Sequence, residues 1–257
     1  MKTRKNNIFK EVYSDYYDLI YKRKDYRNEC QRILNFLKKK KVNKVLEIGC
    51  GTCSHSIILA KENFQIVGID SSEEMLKVAK KKILHHKVSN IQLIKGNAEK
   101  INKFIHEKFD VVLILFNVVG YLSNLESFIN KIRNFLNTNS TLIFDFWHQE
   151  AIELSGPRKT TKIFKRDDSE LERISQGVIN SKKKIVEIKV ECSIFKNKKF
   201  IGKATEVHEL RYYCVDYLRK IITKNGFKIE KFEDFKTKNI GPQKKNWSAY
   251  CVAKFLG

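Results

Sequence analysis

The hydrophobic positions of this chain change period twice. Between residues 11 and 40 they recur at helical spacing: Tyr13, Tyr16, Tyr17, Ile20 and Tyr21 form one stripe, and Cys30, Ile33, Leu34 and Leu37 a second. Two helices are predicted there. From Val45 the chain alternates short apolar runs with helical stripes. The runs cover 45–48, 64–70, 90–95, 109–115 and 141–146, and the stretch 109–115 is apolar apart from Asp110, as in a strand buried on both faces of a parallel sheet. Between them lie Ile57, Ile58 and Leu59, a helix opened by Ser71 or Ser72 with Glu73 and Glu74 in its first turn, and a helix over 125–136. That alternation predicts a doubly wound, mostly parallel α/β sheet.

Past His148 the period changes again. Gly156-Pro157 breaks the pattern, and residues 160–213 alternate with period two in short runs, which predicts antiparallel strands. A helix over 215–224 ends at Asn225-Gly226, and two closing strands follow at 228–232 and 248–255. The expected organisation is therefore a sheet domain from residues 1–150 and 207–257, with an antiparallel β insertion at 151–206 shaping the second-substrate site.

Composition narrows the class. The chain has 257 residues, 6 cysteines and a formal net charge of +22. Its N-terminal stretch lacks an apolar secretory core, and its longest apolar run is too short and too polar to span a bilayer. The expectation is a soluble cytoplasmic protein, monomer or homodimer, with no membrane partner and its cysteines reduced. Cys50-x-x-Cys53 has no second pair to complete a zinc site, so the pair reads as loop packing, with no metal expected. The charge is mostly lysine spread in patches, which reads as solvated surface rather than a nucleic-acid face, and it favours an anionic small substrate.

The chemistry concentrates where the first strand breaks. Val45-Leu-Glu-Ile-Gly-Cys-Gly-Thr-Cys53 is a strand, a glycine turn and the start of a helix, and 21 residues after Gly49 the second strand ends in Asp70. Glycines let a ligand approach the backbone, and a carboxylate at Asp70 can accept both hydrogen bonds of a ribose diol. The third glycine of a dinucleotide fingerprint is replaced by Ser54, and Glu47 would repel a pyrophosphate but suits a ligand with a cationic amino-acid end. Cys53 is expected to fit with negative φ.

These residues, with Tyr17-Asp-Leu-Ile-Tyr21, Gly68-Ile-Asp-Ser-Ser-Glu-Glu-Met75 and Phe116-Asn-Val-Val-Gly-Tyr-Leu122, resemble class I S-adenosylmethionine-dependent methyltransferases over nearly the full chain. The branch it resembles contains sugar-nucleotide amino-sugar N-methyltransferases and glycine-type N-methyltransferases. That resemblance implies a seven-stranded Rossmann-like sheet and S-adenosylmethionine as cofactor. Glu47, Gly49, Gly51 and Phe116 would line its methionine and ribose portion, with Asp70 on the ribose. Ser71, Met75, Asn97 and Ala98 would surround the adenine, and Tyr21 would be a lid. Tyr121 stands where the amino-sugar enzymes have a histidine proposed to act on the acceptor amine. Tyr121, His148 and His208 are therefore the catalytic candidates, and N- versus O-methylation stays open. Tyr13, Tyr17, Asn117, Arg211 and Lys244 are candidates to bind the acceptor, expected to be a phosphorylated or nucleotide-linked sugar-like metabolite. Two other classes compete: a nucleic-acid methyltransferase, favoured by charge but lacking the Asn/Asp-Pro-Pro-Tyr/Phe motif and an RNA-binding module, and a non-catalytic methyltransferase-like binding protein.

Overall fold

A computed structural model describes residues 11–37, 42–234 and 246–257. Helices α1 (Glu11–Ile20) and α2 (Tyr26–Leu37) precede an alternating series: β1 (Lys44–Ile48), α3 (Ser54–Lys61), β2 (Gln65–Asp70), α4 (Glu73–His85), β3 (Ile91–Lys95), β4 (Phe109–Ile114), α5 (Leu125–Ile132) and β5 (Leu136–Trp147). A short helix α6 (Gln149–Ser155) leads to β6 (Thr160–Arg166), β7 (Ser169–Asn180), β8 (Ile185–Lys196) and β9 (Lys199–Arg211), and α7 (Val215–Lys224), β10 (Phe227–Glu233) and β11 (Ser248–Phe255) close the chain.

Seven strands form one sheet in the order β10-β11-β5-β4-β1-β2-β3. β1 pairs in parallel with β2 and β4, and β11 runs antiparallel to both β5 and β10. Strand alternation decides which side chain meets which layer. Leu46, Ile48, Val112 and Ile114 join a core with Leu125, Phe128 and Ile129 of α5 and Leu218, Ile221 and Ile222 of α7. Val45, Val111 and Leu113 join Cys30, Ile33 and Leu37 of α2 and Leu59 of α3 on the opposite face. Both faces are covered, which is why these strands read as mostly apolar runs, broken after their first residues only by Glu47 in β1 and Asp110 in β4.

The expected insertion is a separate antiparallel sheet, β6-β7-β8-β9. The expected boundary at residue 206 falls inside β9, which continues to Arg211. The inner face of this sheet packs on α1: Leu171, Val190, Cys192 and Ile194 share a core with Tyr13, Tyr16, Tyr17 and Met75. Helix α1 thus joins the small sheet to α4 of the main domain.

Three local expectations need correction. The helix expected to reach residue 136 stops at Ile132, because a 3-10 turn at Arg133–Phe135 leads straight into β5. β5 accordingly starts five residues before its expected position. Cys53 adopts φ +61 rather than a negative value, because it closes a turn on Cys50 (N to O 2.8 Å) while its own carbonyl accepts the first bond of α3. A left-handed non-glycine residue costs roughly 1–2 kcal/mol, offset here by these bonds and full burial of the thiol.

Candidate active site

The carboxyl ends of β1, β2 and β4, the inner face of the small sheet and helix α1 enclose a cavity of about 870 Å³. Pockets for one small ligand run from roughly 300 to 1,000 Å³, so this space accommodates a nucleoside-sized molecule beside a smaller one. Open α/β sheets bind ligands at the carboxyl ends of their strands for the same topological reason.

The glycine loop forms the floor. Gly49 and Cys50 both donate to the Ile69 carbonyl, at 2.8 and 3.0 Å, which turns the chain sharply off β1. At Gly49, φ is +73 and an added Cβ would lie 2.5 Å from Val118 Cγ2, so this position requires glycine on both counts. Asp70 stands at the tip of β2, accepting from Gly51 N at 2.9 Å through Oδ2 and from Ser72 N at 2.8 Å through Oδ1. Burial raises its carboxyl above the usual range, while these N–H groups oppose that shift. Ser72 caps α4 by accepting from Met75 N, and Asn97 Oδ1 accepts from Glu99 N.

Beneath the Glu47 end of this floor runs a chain of buried charges. Ser56 Oγ donates to Glu47, His55 Nδ1 lies 3.5 Å from Glu47 Oε1, and His55 Nε2 lies 2.8 Å from Glu29 Oε2. Lys24 pairs with Glu29 and sits 4.8 Å from the Phe116 ring centroid. Burial opposes charge on the imidazole, but hydrogen bonds and attraction from Glu29 and Glu47 outweigh it and hold the His55 pKa up at about 9. Since an unfolded histidine titrates near 6.5, the stabilisation is complete below about pH 6.5 and is lost as pH rises through about 9. A shift of this size corresponds to on the order of 3 kcal/mol. Melting curves of wild type and His55→Gln should therefore differ most below pH 6.5 and converge by about pH 10; a constant difference would remove the charged histidine from this account.

Sequence alone gave no sign of Asp145, which is 5% exposed near the end of β5. Its Oδ1 accepts from Asn117 N at 2.7 Å and so braces two consecutive left-handed residues, Phe116 (φ +65) and Asn117 (φ +55). Strain of this kind gathers at binding sites. Burial pushes the Asp145 carboxyl up to about 7. The Asn117 side chain is buried at the cavity wall, and neither its Oδ1 nor its Nδ2 has a hydrogen-bond partner.

All ten residues expected at the cofactor line this one cavity: Tyr21, Glu47, Gly49, Gly51, Asp70, Ser71, Met75, Asn97, Ala98 and Phe116. Tyr21 covers Phe116 edge to face at 4.9 Å and lies 4.7 Å from Tyr17. Of the acceptor-side candidates, Tyr13, Tyr17, Asn117, Tyr121 and His208 also line it. Tyr121 Oη lies 2.8 Å from His208 Nδ1, and His208 Nε2 lies 3.2 Å from Glu206 Oε2. Burial leads the causes that raise the Tyr121 phenol far above its ordinary value.

Two candidates fall elsewhere. His148 does not line the cavity: it is buried before α6, its backbone N donates to Trp247 O at 2.6 Å, and burial lowers its imidazole pKa. Arg211 also lies off the cavity, where its Nε donates to Leu122 O at 3.0 Å and fixes the loop carrying Tyr121. Lys244, with Lys236, Lys238 and Lys245, lies outside the described residues. Among the described residues no group of three or more histidine, cysteine or acidic side chains is arranged to hold a metal, and no helix is long and apolar enough to cross a membrane.

Residues 39–198 match the methyltransferase domain family. Demethylmenaquinone methyltransferase of Bacillus subtilis is 34% identical over 123 residues, 45% of this chain and 51% of that protein. The chain thus spans about half the length of the curated relatives it matches. An S-adenosylmethionine-dependent methyltransferase from Clostridium acetobutylicum has the same fold, with TM-score 0.79, 18% identity and coverage of 96% and 98% of the two chains. So does CalS10, an amino pentose methyltransferase from Micromonospora echinaspora solved with S-adenosylmethionine bound, with TM-score 0.73, 15% identity and coverage of 98% and 99%.

Proposed function

This chain belongs to the methyltransferase domain family, and from that premise we propose that it transfers a methyl group from S-adenosylmethionine to a nitrogen or oxygen of a small polar acceptor. The observation that carries the acceptor side is the Tyr121–His208–Glu206 chain on the wall of the cavity whose floor is the glycine loop.

The donor fits the residues present. Asp70 has lone pairs beyond those engaged by Gly51 and Ser72, as a ribose diol requires. The charges of Glu47, His55, Glu29 and Lys24 balance, whereas among the described residues neither Asp70 nor Asp145 has a cationic partner within 4.0 Å. A ligand with a cationic centre suits that half of the cavity, and the orphaned Asn117 amide is ready to bond it or the acceptor. When bound, S-adenosylmethionine supplies a methyl group already activated by its sulfonium.

The protein's own task is then to align the acceptor and remove its proton. Glu206 beside Nε2 favours the tautomer with its proton there, leaving Nδ1 to accept from the Tyr121 hydroxyl. As the acceptor gives its proton to Tyr121 Oη, the phenolic proton passes to His208 Nδ1. Tyr121 ends neutral, and the imidazolium is stabilised by Glu206. The same relay serves an ammonium that must become an amine and a hydroxyl that must become a better nucleophile. His208 on the cavity wall, with Glu206 beside it and Arg173 on the same sheet, favours a polar acceptor of the kind named for the amino pentose enzyme over a quinone.

The acceptor class is tested with methyl-labelled S-adenosylmethionine offered against amino sugars and their phosphates, demethylmenaquinone, and RNA. Label is expected in a small polar molecule. Label confined to the quinone or to RNA would overturn the proposal.

A further inference from the structure

We infer that Arg173 anchors an anionic oxygen group of the methyl acceptor, a carboxylate or a phosphate, and thereby selects which acceptors the cavity takes; this rests on the methyltransferase reading above. Arg173 lies on β7, paired with Lys162 on β6 and Cys192 on β8. Residues two apart on a strand share a face, so Arg173 points to the same side as Leu171, which is fully buried against α1. That side is the cavity, and Arg173 lines it.

Among the described residues Arg173 is the one lysine or arginine in the cavity lining. This is informative in a chain of net charge +22, since no other of its described lysines and arginines reaches the cavity. Its Nε is buried without a hydrogen-bond partner, and among the described residues no carboxylate lies within 4.0 Å of the guanidinium. The acid nearest in register on the same sheet face, Glu206, is engaged by His208. A half-buried arginine gains little from holding this position unless something charged arrives. A guanidinium presents donors in a planar fork that matches carboxylate and phosphate oxygens.

The location fits a second anchor for the acceptor. Arg173 acts electrostatically on the Tyr13 phenol, which is 3.4 Å from Tyr21 Oη, and the Tyr13 ring is 6.3 Å from the His208 ring. An acceptor held by its anion at Arg173 therefore lies along Tyr13 with its nucleophile toward Tyr121 and His208.

The test uses the full chain saturated with S-adenosylhomocysteine and titrated, at constant ionic strength, with inorganic phosphate in one arm and acetate in the other. One-site binding of at least one probe is expected, and which one binds distinguishes phosphate from carboxylate. Arg173→Gln should weaken it ~10- to 100-fold, Arg173→Lys should retain part of it, and the exposed control Lys165→Gln should change nothing. Absence of binding by both probes, or equal binding by Arg173→Gln, would overturn the inference. S-adenosylhomocysteine affinity, measured on every variant, reports folding and keeps the two claims apart: its loss in the wild type would sink the methyltransferase reading, whereas its retention with no anion effect would sink only the role of Arg173.

Discussion

Asp70→Ala should weaken S-adenosylmethionine binding by ~100-fold or more. Hydrogen bonds to a charged group contribute roughly 1.5–3 kcal/mol each, and in the proposed site the ribose diol would make two with this carboxylate, so their loss is worth about 3 kcal/mol at least. Asp70 also ties Gly51 N and Ser72 N, so the alanine variant loosens the loop as well as the ligand contact. Asp70→Asn separates these effects. The amide keeps one of the two oxygen acceptors that Gly51 N and Ser72 N use, and it cannot accept from both ribose hydroxyls. Its melting temperature should fall less than that of Asp70→Ala, while its affinity falls roughly tenfold or more. Wild-type affinity in both variants would show that the ribose is held elsewhere.

The second large effect is expected at the relay. Positioned proton transfer contributes typically ~10²–10⁴-fold to rate. His208→Ala should therefore lower kcat by ~10²-fold or more, with cofactor affinity unchanged because His208 lies on the small sheet, away from the glycine loop. Tyr121→Phe removes the connecting hydroxyl and should show a comparable loss. Glu206→Gln keeps the shape and removes the charge that stabilises the imidazolium, so a smaller loss and an altered pH–rate profile are expected. A His208→Ala enzyme with wild-type kcat would reduce the relay to packing and leave alignment alone as the source of rate.

What the sequence revealed follows from the range of the signals. The cofactor half is built from local features: a strand, a glycine turn and a carboxylate 21 residues on. Each is legible without knowing what lies across the cavity, and all ten expected residues meet there. The acceptor half depends on register between β7, β8 and β9 and on how that sheet docks on α1. Tyr121 and His208 were separately visible as chemistry-bearing residues, but 87 positions separate them and nothing local announces their hydrogen bond. Glu206 and Arg173 look like ordinary members of a charged alternating strand; only the inward face distinguishes them. His148 follows β5 as a site residue would, but its backbone is held by Trp247 and bridges to Tyr213, off the cavity. Cys53 misled because its φ is set by the turn on Cys50 rather than by its own preference.

The central claim is that the Val45–Cys53 loop and Asp70 hold S-adenosylmethionine. Calorimetric titration of the purified wild-type protein with that molecule, beside Asp70→Asn, tests it most directly. One-site binding that Asp70→Asn weakens while the variant stays folded is the predicted result, and absence of binding by the folded wild type would contradict it.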